Sequence, residues 1–202
     1  MQAATQSDSS NSATFSERDA LWPNYSPPRD LVFTHGLGTE LYTESGETYL
    51  DFLSGIAVTA FGHSHPHLIE ALGAQSKKLW HVSNLYEIPQ QRSLADLLVA
   101  NSFADTVFFT NSGTESCELA VKMARKYWFE KGCPDKFEII TFEGSFHGRS
   151  SAGIAATASE KMTKGFGPLL PGFVNINWGD HEAIKSFITD RTAAILIEPI
   201  QG

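Results

Sequence analysis

An α/β architecture, with a mainly parallel sheet clad by helices, is predicted by three features of the chain. Short β-branched and aromatic runs, "TVFFT", "KFEIITF", "GFVNI" and "TAAILIEPI", alternate with segments of helical spacing such as Ser116 to Lys131 and His181 to Ile188. The runs are apolar on both faces, the mark of strands covered from both sides. Two of them end in loops of small and polar residues, "TNSGTES" and "EGSFHGRSSAG", where open sheets of this kind bind ligands.

Taken in order, residues 1–20, "MQAATQSDSSNSATFSERDA", are rich in Ser, Asn, Gln and Ala and offer little to bury, so a disordered tail is expected. Ordered chain is expected from "LWPNYSPP". The stretch "GTELYTESGETYLDFLSG" reads as an antiparallel hairpin, with Leu41 and Tyr42 before a Glu-Ser-Gly-Glu turn and Tyr49 and Phe52 after it. "PHLIEALGAQSKKLW" and "PQQRSLADLLVANSF" each open on Pro and carry apolar residues at helical spacing, which predicts successive helices. The strand and helix alternation follows. The chain stops at "ILIEPIQG", directly after a predicted strand, so it is expected to be the N-terminal part of a longer protein.

Bulk properties narrow the function classes. The 202 residues are 42% hydrophobic, enough for one large domain or a domain and part of a second. A formal charge of -8 argues against nucleic acid as the main partner, and an acidic ligand would need a local cationic pocket. Cys117 and Cys133 form neither a CxxC motif nor a disulfide framework, which suits a reducing compartment. No run approaches the roughly 18 apolar residues of a membrane span, and the N-terminus lacks the pattern of a secretion signal, so a cytoplasmic protein without a membrane partner is expected.

"FFTNSGTESCELAVKMAR" breaks an apolar run with Asn111 to Thr114 and then resumes with helical spacing. Gly113 lets a ligand approach the backbone, Ser112 and Thr114 offer hydroxyls, and the following helix points its free N–H groups into the same space. These features suit a phosphate; the competing reading is a plain N-cap by Ser112 or Thr114. Neither GxxxxGK[ST] nor GxGxxG is present, so a nucleotide is not indicated. The helix carries two apolar stripes, Cys117, Val121, Ala124 and Leu119, Met123, Tyr127, which predict extensive burial, and Glu118 is spaced to pair with Lys122.

In "IITFEGSFHGRSSAG", Phe146 is an aromatic that can stack on a planar ligand, and Arg149 a guanidinium that can grip a carboxylate with parallel bonds. The competing reading is a loop plug and a surface arginine. His63, His65 and His67 in "FGHSHPHL" suggest a metal only superficially: Pro66 breaks their alternation and no carboxylate or Cys stands at ligand spacing, so a turn and helix start is expected, and no metal. Glu198 ends an apolar strand, and alone decides nothing.

In order and spacing, "GTELYTESGETYLDFLSGIAVTAFGHSHP", "FFTNSGTESCELAVKMAR", "FHGRSSAG", "GFGPLLPGF" and "ILIEPIQG" resemble the class III aminotransferases, pyridoxal-phosphate enzymes of fold type I. The match covers roughly 25–202, and within the class the chain is most similar to acetylornithine and ornithine aminotransferases. The resemblance implies that 21–65 is an N-terminal segment of a small domain and 66–202 the first part of the large, doubly wound, pyridoxal-phosphate-binding domain. It implies that Gly113 and Thr114 bind the cofactor phosphate through backbone N–H groups, with Ser112 as a further contact. Phe146 would stack on the pyridine ring, Arg149 bind the substrate α-carboxylate, and Tyr25, a looser match, lie near the substrate.

The family's Schiff-base lysine and ring-nitrogen aspartate belong to motifs that follow "EPIQG" and do not occur here. No catalytic residue is therefore expected within this chain, none of Lys122, Lys126, Lys161 and Lys164 stands in the Schiff-base context, and this stretch alone is expected to be inactive. The activity implied for the whole protein converts N2-acetylornithine and 2-oxoglutarate to N-acetylglutamate 5-semialdehyde and glutamate, in arginine biosynthesis, by a homodimer. The alternatives are a class III enzyme acting on ornithine, GABA or another ω-amino acid, and a non-catalytic phosphate-binding protein.

Overall fold

A computed structural model describes residues 25, 27, 28, 30–157 and 159–202; the tail expected at 1–20 lies outside the described residues. Two compact units result, one ending at Glu87 and the other running from Ile88 to Gly202.

The first unit is built on a three-stranded antiparallel sheet in the order β1-β2-β3, with β1 at Phe33–Leu37, β2 at Glu40–Thr43 and β3 at Thr48–Leu50. The hairpin read from the sequence is β2 and β3, which pair Glu40 with Leu50 and Tyr42 with Thr48. Its turn closes because Thr43 N–H donates to Glu47 O and Gly46, at φ +87°, returns its N–H to Thr43 O. β1 carries Gly36 and His35 among its five residues and gives no strand signal by composition; pairing with β2 creates it. His63 exchanges backbone bonds with Gly38 and places its Nε2 2.7 Å from Asp51 Oδ2. This side chain is thereby committed to the turn rather than to a cluster with His65 and His67.

Two helices complete the unit. α1, Ser54–Ala57, is a short turn in which Gly55 and Ile56 sit in the left-handed region; α2, Pro66–Ser76, starts on its proline as predicted. Hydrogen bonds from Ser54 Oγ to Thr59 O and from the Leu53 and Ser54 N–H groups to Asp51 Oδ1 hold the α1 turn.

The second unit opens with α3, Pro89–Ala100, and α4, Gly113–Glu130. It then follows the predicted alternation: β4 at Glu138–Phe142, α5 at Ser151–Thr157, α6 at Glu160–Thr163, β5 at Phe173–Ile176, α7 at His181–Phe187 and β6 at Thr192–Ile195. All ladders are parallel and the order is β5-β4-β6, so β4, the most buried strand, is central. Helices cover both faces. Ile140, Phe142 and Ile176 form a cluster with Val174 and with Ile184 of α7 on one side. On the other, Arg125 of α4 donates to Phe137 O and Pro171 O and lies over the rings of Phe137 and Phe173, and Trp128 Nε1–H donates to Ala193 O at 2.8 Å. Among the described residues no helix is long and apolar enough to cross a membrane.

The structure corrects several expectations. "TVFFT" forms no ladder, because a strand exists only where a neighbour accepts its backbone bonds, and none of the described strands does so. The predicted strand at "TAAILIEPI" ends at Ile195, which leaves Glu198 in the following loop. α5, composed of small residues, was not predicted; it forms because Ala152, Gly153, Ala155 and Ala156 let it pack closely against β4 and β5. Of the two stripes predicted on α4, the first has Val121 buried and Cys117 and Ala124 partly buried, whereas in the second Leu119 is partly buried and Met123 and Tyr127 are exposed. Glu118 accepts from Ala152 N–H at 3.4 Å, and among the described residues the surface of α4 carries the ion pair Lys126–Glu130 and not Glu118–Lys122.

Candidate functional site

The N-terminus of α4 is shaped by a reciprocal cap. Ser112 is in extended conformation and its Oγ accepts from Glu115 N–H at 3.2 Å, while the Glu115 carboxylate reaches back to the Asn111 N–H at 2.6 Å. The plain N-cap kept open in the sequence therefore exists, and Ser112 makes it. Gly113 and Thr114 occupy the first helical turn, where backbone N–H groups have no acceptor inside the helix and the positive end of the dipole lies. A methyl group placed on Gly113 would meet nothing within 4 Å, so the approach to this turn is open.

The loop after β4 comes directly against that turn. Gly148 has φ +93°, and a Cβ there would lie 2.7 Å from Thr114 Oγ1 and 3.2 Å from Thr114 Cα. Only glycine permits this contact, on steric and on backbone grounds alike. The two loops that the sequence marked separately as ligand-competent are thus one cluster at the carboxyl end of the sheet, as open α/β sheets arrange their ligand sites.

Within the same loop, burial alternates. Ser145 and His147 are 2% and 4% exposed, with Ser145 Oγ–H donating to Phe142 O at 2.6 Å, whereas Phe146 between them is 51% exposed. Two buried neighbours thus anchor the backbone and leave the aromatic ring turned outward. Arg149 follows on the exposed side. His147 Nε2 is a buried polar atom with no hydrogen-bond partner, and burial pushes the imidazole below its ordinary value, with the Glu198 carboxylate pulling the other way. Such an orphaned atom is rare in a folded interior.

The segment following β6 closes the cluster. Glu198 Oε2 accepts from Phe146 N–H at 2.8 Å, and the Gln201 side-chain amide donates to Glu143 O at 3.2 Å. Burial, with the carboxylates of Glu118 and Glu198, raises the Cys117 thiol above its ordinary value, so Cys117 stays protonated. Tyr25 lies in the first unit and is 65% exposed. Sequence reading missed the contributions of Gly148, Glu118 and Gln201, and left Glu198 undecided. The one local signal for the helix start was the Ser-x-x-Glu spacing of Ser112 and Glu115. Among the described residues no group of three or more His, Cys, Asp or Glu converges as a metal site.

The α/β scaffold with these two loops joined at its carboxyl edge is that of a class III aminotransferase: the model of the aminotransferase class-III family matches residues 23–202, and the chain belongs to this family. It is 64% identical over 172 residues to the acetylornithine aminotransferase of Rhodobacter capsulatus, a match covering 85% of this chain and 44% of the relative. It is 58% identical to that of Agrobacterium fabrum, covering 85% and 43%. Among solved structures, an ornithine aminotransferase from Toxoplasma gondii with partial occupancy of PLP at its active site superposes with a TM-score of 0.85 at 30% identity, over 92% of this chain and 44% of that one. The N-acetylornithine aminotransferase of Stenotrophomonas maltophilia superposes with a TM-score of 0.71 at 37% identity, over 87% and 43%. The chain therefore spans less than half the length of the relatives it matches.

Proposed function

We propose that the whole protein is a pyridoxal-phosphate-dependent transaminase that converts N2-acetylornithine and 2-oxoglutarate to N-acetylglutamate 5-semialdehyde and glutamate. The observation that carries the site assignment is the contact of Gly148 with Thr114, which joins the phosphate-competent turn to the loop bearing Phe146 and Arg149. The 64% identity to an acetylornithine aminotransferase supports this substrate over ornithine, GABA or another ω-amino acid.

The residues present fit the cofactor. Gly113 and Thr114 offer N–H groups that have no acceptor within their own helix, at its positive end, with open space in front of Gly113, which suits a phosphate dianion. The half-exposed Phe146 ring on an anchored backbone suits a flat heteroaromatic ring. When bound, pyridoxal phosphate supplies the aldehyde and the electron sink for amino transfer. The chain's own residues bind and orient. The first turn of α4 holds the phosphate, Phe146 covers one ring face, and Arg149 pairs with the substrate α-carboxylate through a two-pronged contact. We further assign Tyr25 to substrate binding. We assign 21–65 to a small domain and 66–202 to the first part of the large one, with the group that moves the proton outside this stretch.

A homodimer in the cytoplasm and a place in arginine biosynthesis complete the proposal. The exposed apolar side chains of both units support further contacts in the assembled protein. The test is a substrate screen on the whole protein with 2-oxoglutarate as amino acceptor. N2-acetylornithine is expected to give the highest kcat/KM; a higher value with ornithine or GABA overturns the substrate assignment, and no transamination of any donor overturns the class of activity.

A further inference from the structure

We infer that Glu198 is a positioning residue for the Phe146 ring: its carboxylate, carried by the segment after β6, holds the backbone of the neighbouring loop and so sets where the ring stands relative to the first turn of α4. The inference rests on the reading that Phe146 covers the cofactor.

Three observations carry it. The Phe146 N–H donates to Glu198 Oε2 at 2.8 Å, a charge-assisted bond between residues 52 apart in the chain, so it ties two loops rather than one. The same segment makes a second attachment, since Gln201 donates to Glu143 O and its Oε1 fills the space where a Cβ on Gly144 would stand, at 2.9 Å. The far end of the aromatic loop is pinned by Gly148 against Thr114. Ser145 and His147 are buried on either side, so Phe146 has two fixed neighbours, and its own N–H is held by Glu198. A ring carried this way gains stacking contact without having to be ordered when the ligand arrives.

The experiment uses the whole protein and reads the pyridoxal-phosphate dissociation constant and the induced circular dichroism of the bound cofactor. Glu198→Gln keeps an oxygen acceptor and is expected to stay within about twofold of wild type, whereas Glu198→Ala, which removes the acceptor, is expected to weaken binding about tenfold and alter the dichroism. Phe146→Ala is expected to loosen the cofactor too, and the double variant Phe146→Ala with Glu198→Ala should bind within about twofold of Phe146→Ala alone, because the carboxylate acts through the ring. Where Glu198→Ala does not fold, Glu198→Asp, which draws the acceptor back by a methylene, takes its place with the same direction expected. Wild-type affinity and dichroism in Glu198→Ala, or in Glu198→Asp where that takes its place, while Phe146→Ala loosens the cofactor, or losses that multiply in the double variant, overturn the inference. Unchanged affinity in Phe146→Ala instead overturns the stacking reading itself, and the role of Glu198 with it.

Discussion

His147 and Arg149 stand two residues apart and oppose each other in environment, the first buried and the second exposed. Because burial lowers the His147 pKa, the folded protein resists the proton that the unfolded chain accepts near pH 6.5, so the unfolded state binds more protons as pH falls. Stability is therefore full above about pH 6.5 and declines below it, toward the depressed folded value. In urea titrations at pH 7.5 and pH 5.5, His147→Gln is expected to lose less stability between the two conditions than wild type; equal losses would remove His147 from the account. Arg149→Ala in the whole protein is expected to cost about 2 to 4 kcal/mol in kcat/KM for α-carboxylate donors, the range for losing a two-pronged contact. Unchanged kcat/KM with every donor would count against the carboxylate assignment. Phe146 and Arg149 were legible as residue types, an aromatic beside a guanidinium among small residues. Gly148 was not, because its necessity comes from Thr114, which is remote in sequence.

Elements depend on their ends and on their partners. α4 begins at Gly113 because Ser112 Oγ accepts the Glu115 N–H, one of those a helix start leaves open, and the Glu115 carboxylate fixes the preceding Asn111 N–H, so Ser112→Ala should lower stability by about 1 kcal/mol in chemical unfolding. A loss below a few tenths would mean that the cap bond is replaced by solvent. The alternation of strand and helix was legible from β4 to β6, since apolar runs and helical spacing differ in period. "TVFFT" has the same composition as those strands and forms none, and β1 has little strand character and forms one. Both departures have one cause: a ladder is a property of two segments, and composition describes one. α5 escaped notice for a related reason, because small residues favour close packing only when a strand is there to receive them.

Across the whole molecule, many large apolar side chains remain at the surface, including Phe52 at 95%, Trp80 at 86% and Leu85 at 85% exposed. Residues 1–202 prepared alone are expected to bind a hydrophobic dye and to elute ahead of a monomer in size-exclusion chromatography, as large exposed apolar surface promotes association. A monomer without dye binding would show that these side chains are tolerated in water. The sequence by itself determined the α/β class, the hairpin, the two loops of small and polar residues and the family, since these follow from periodicity, turn chemistry and ordered motifs. Tertiary structure alone decided that the two loops meet, that Glu198 leaves its strand to bind the Phe146 backbone, and which stripe of α4 is covered. The physical reason is range: periodicity and capping act within a few residues, whereas the contacts of Thr114 with Gly148 and of Phe146 with Glu198 join residues that only the folded sheet brings together.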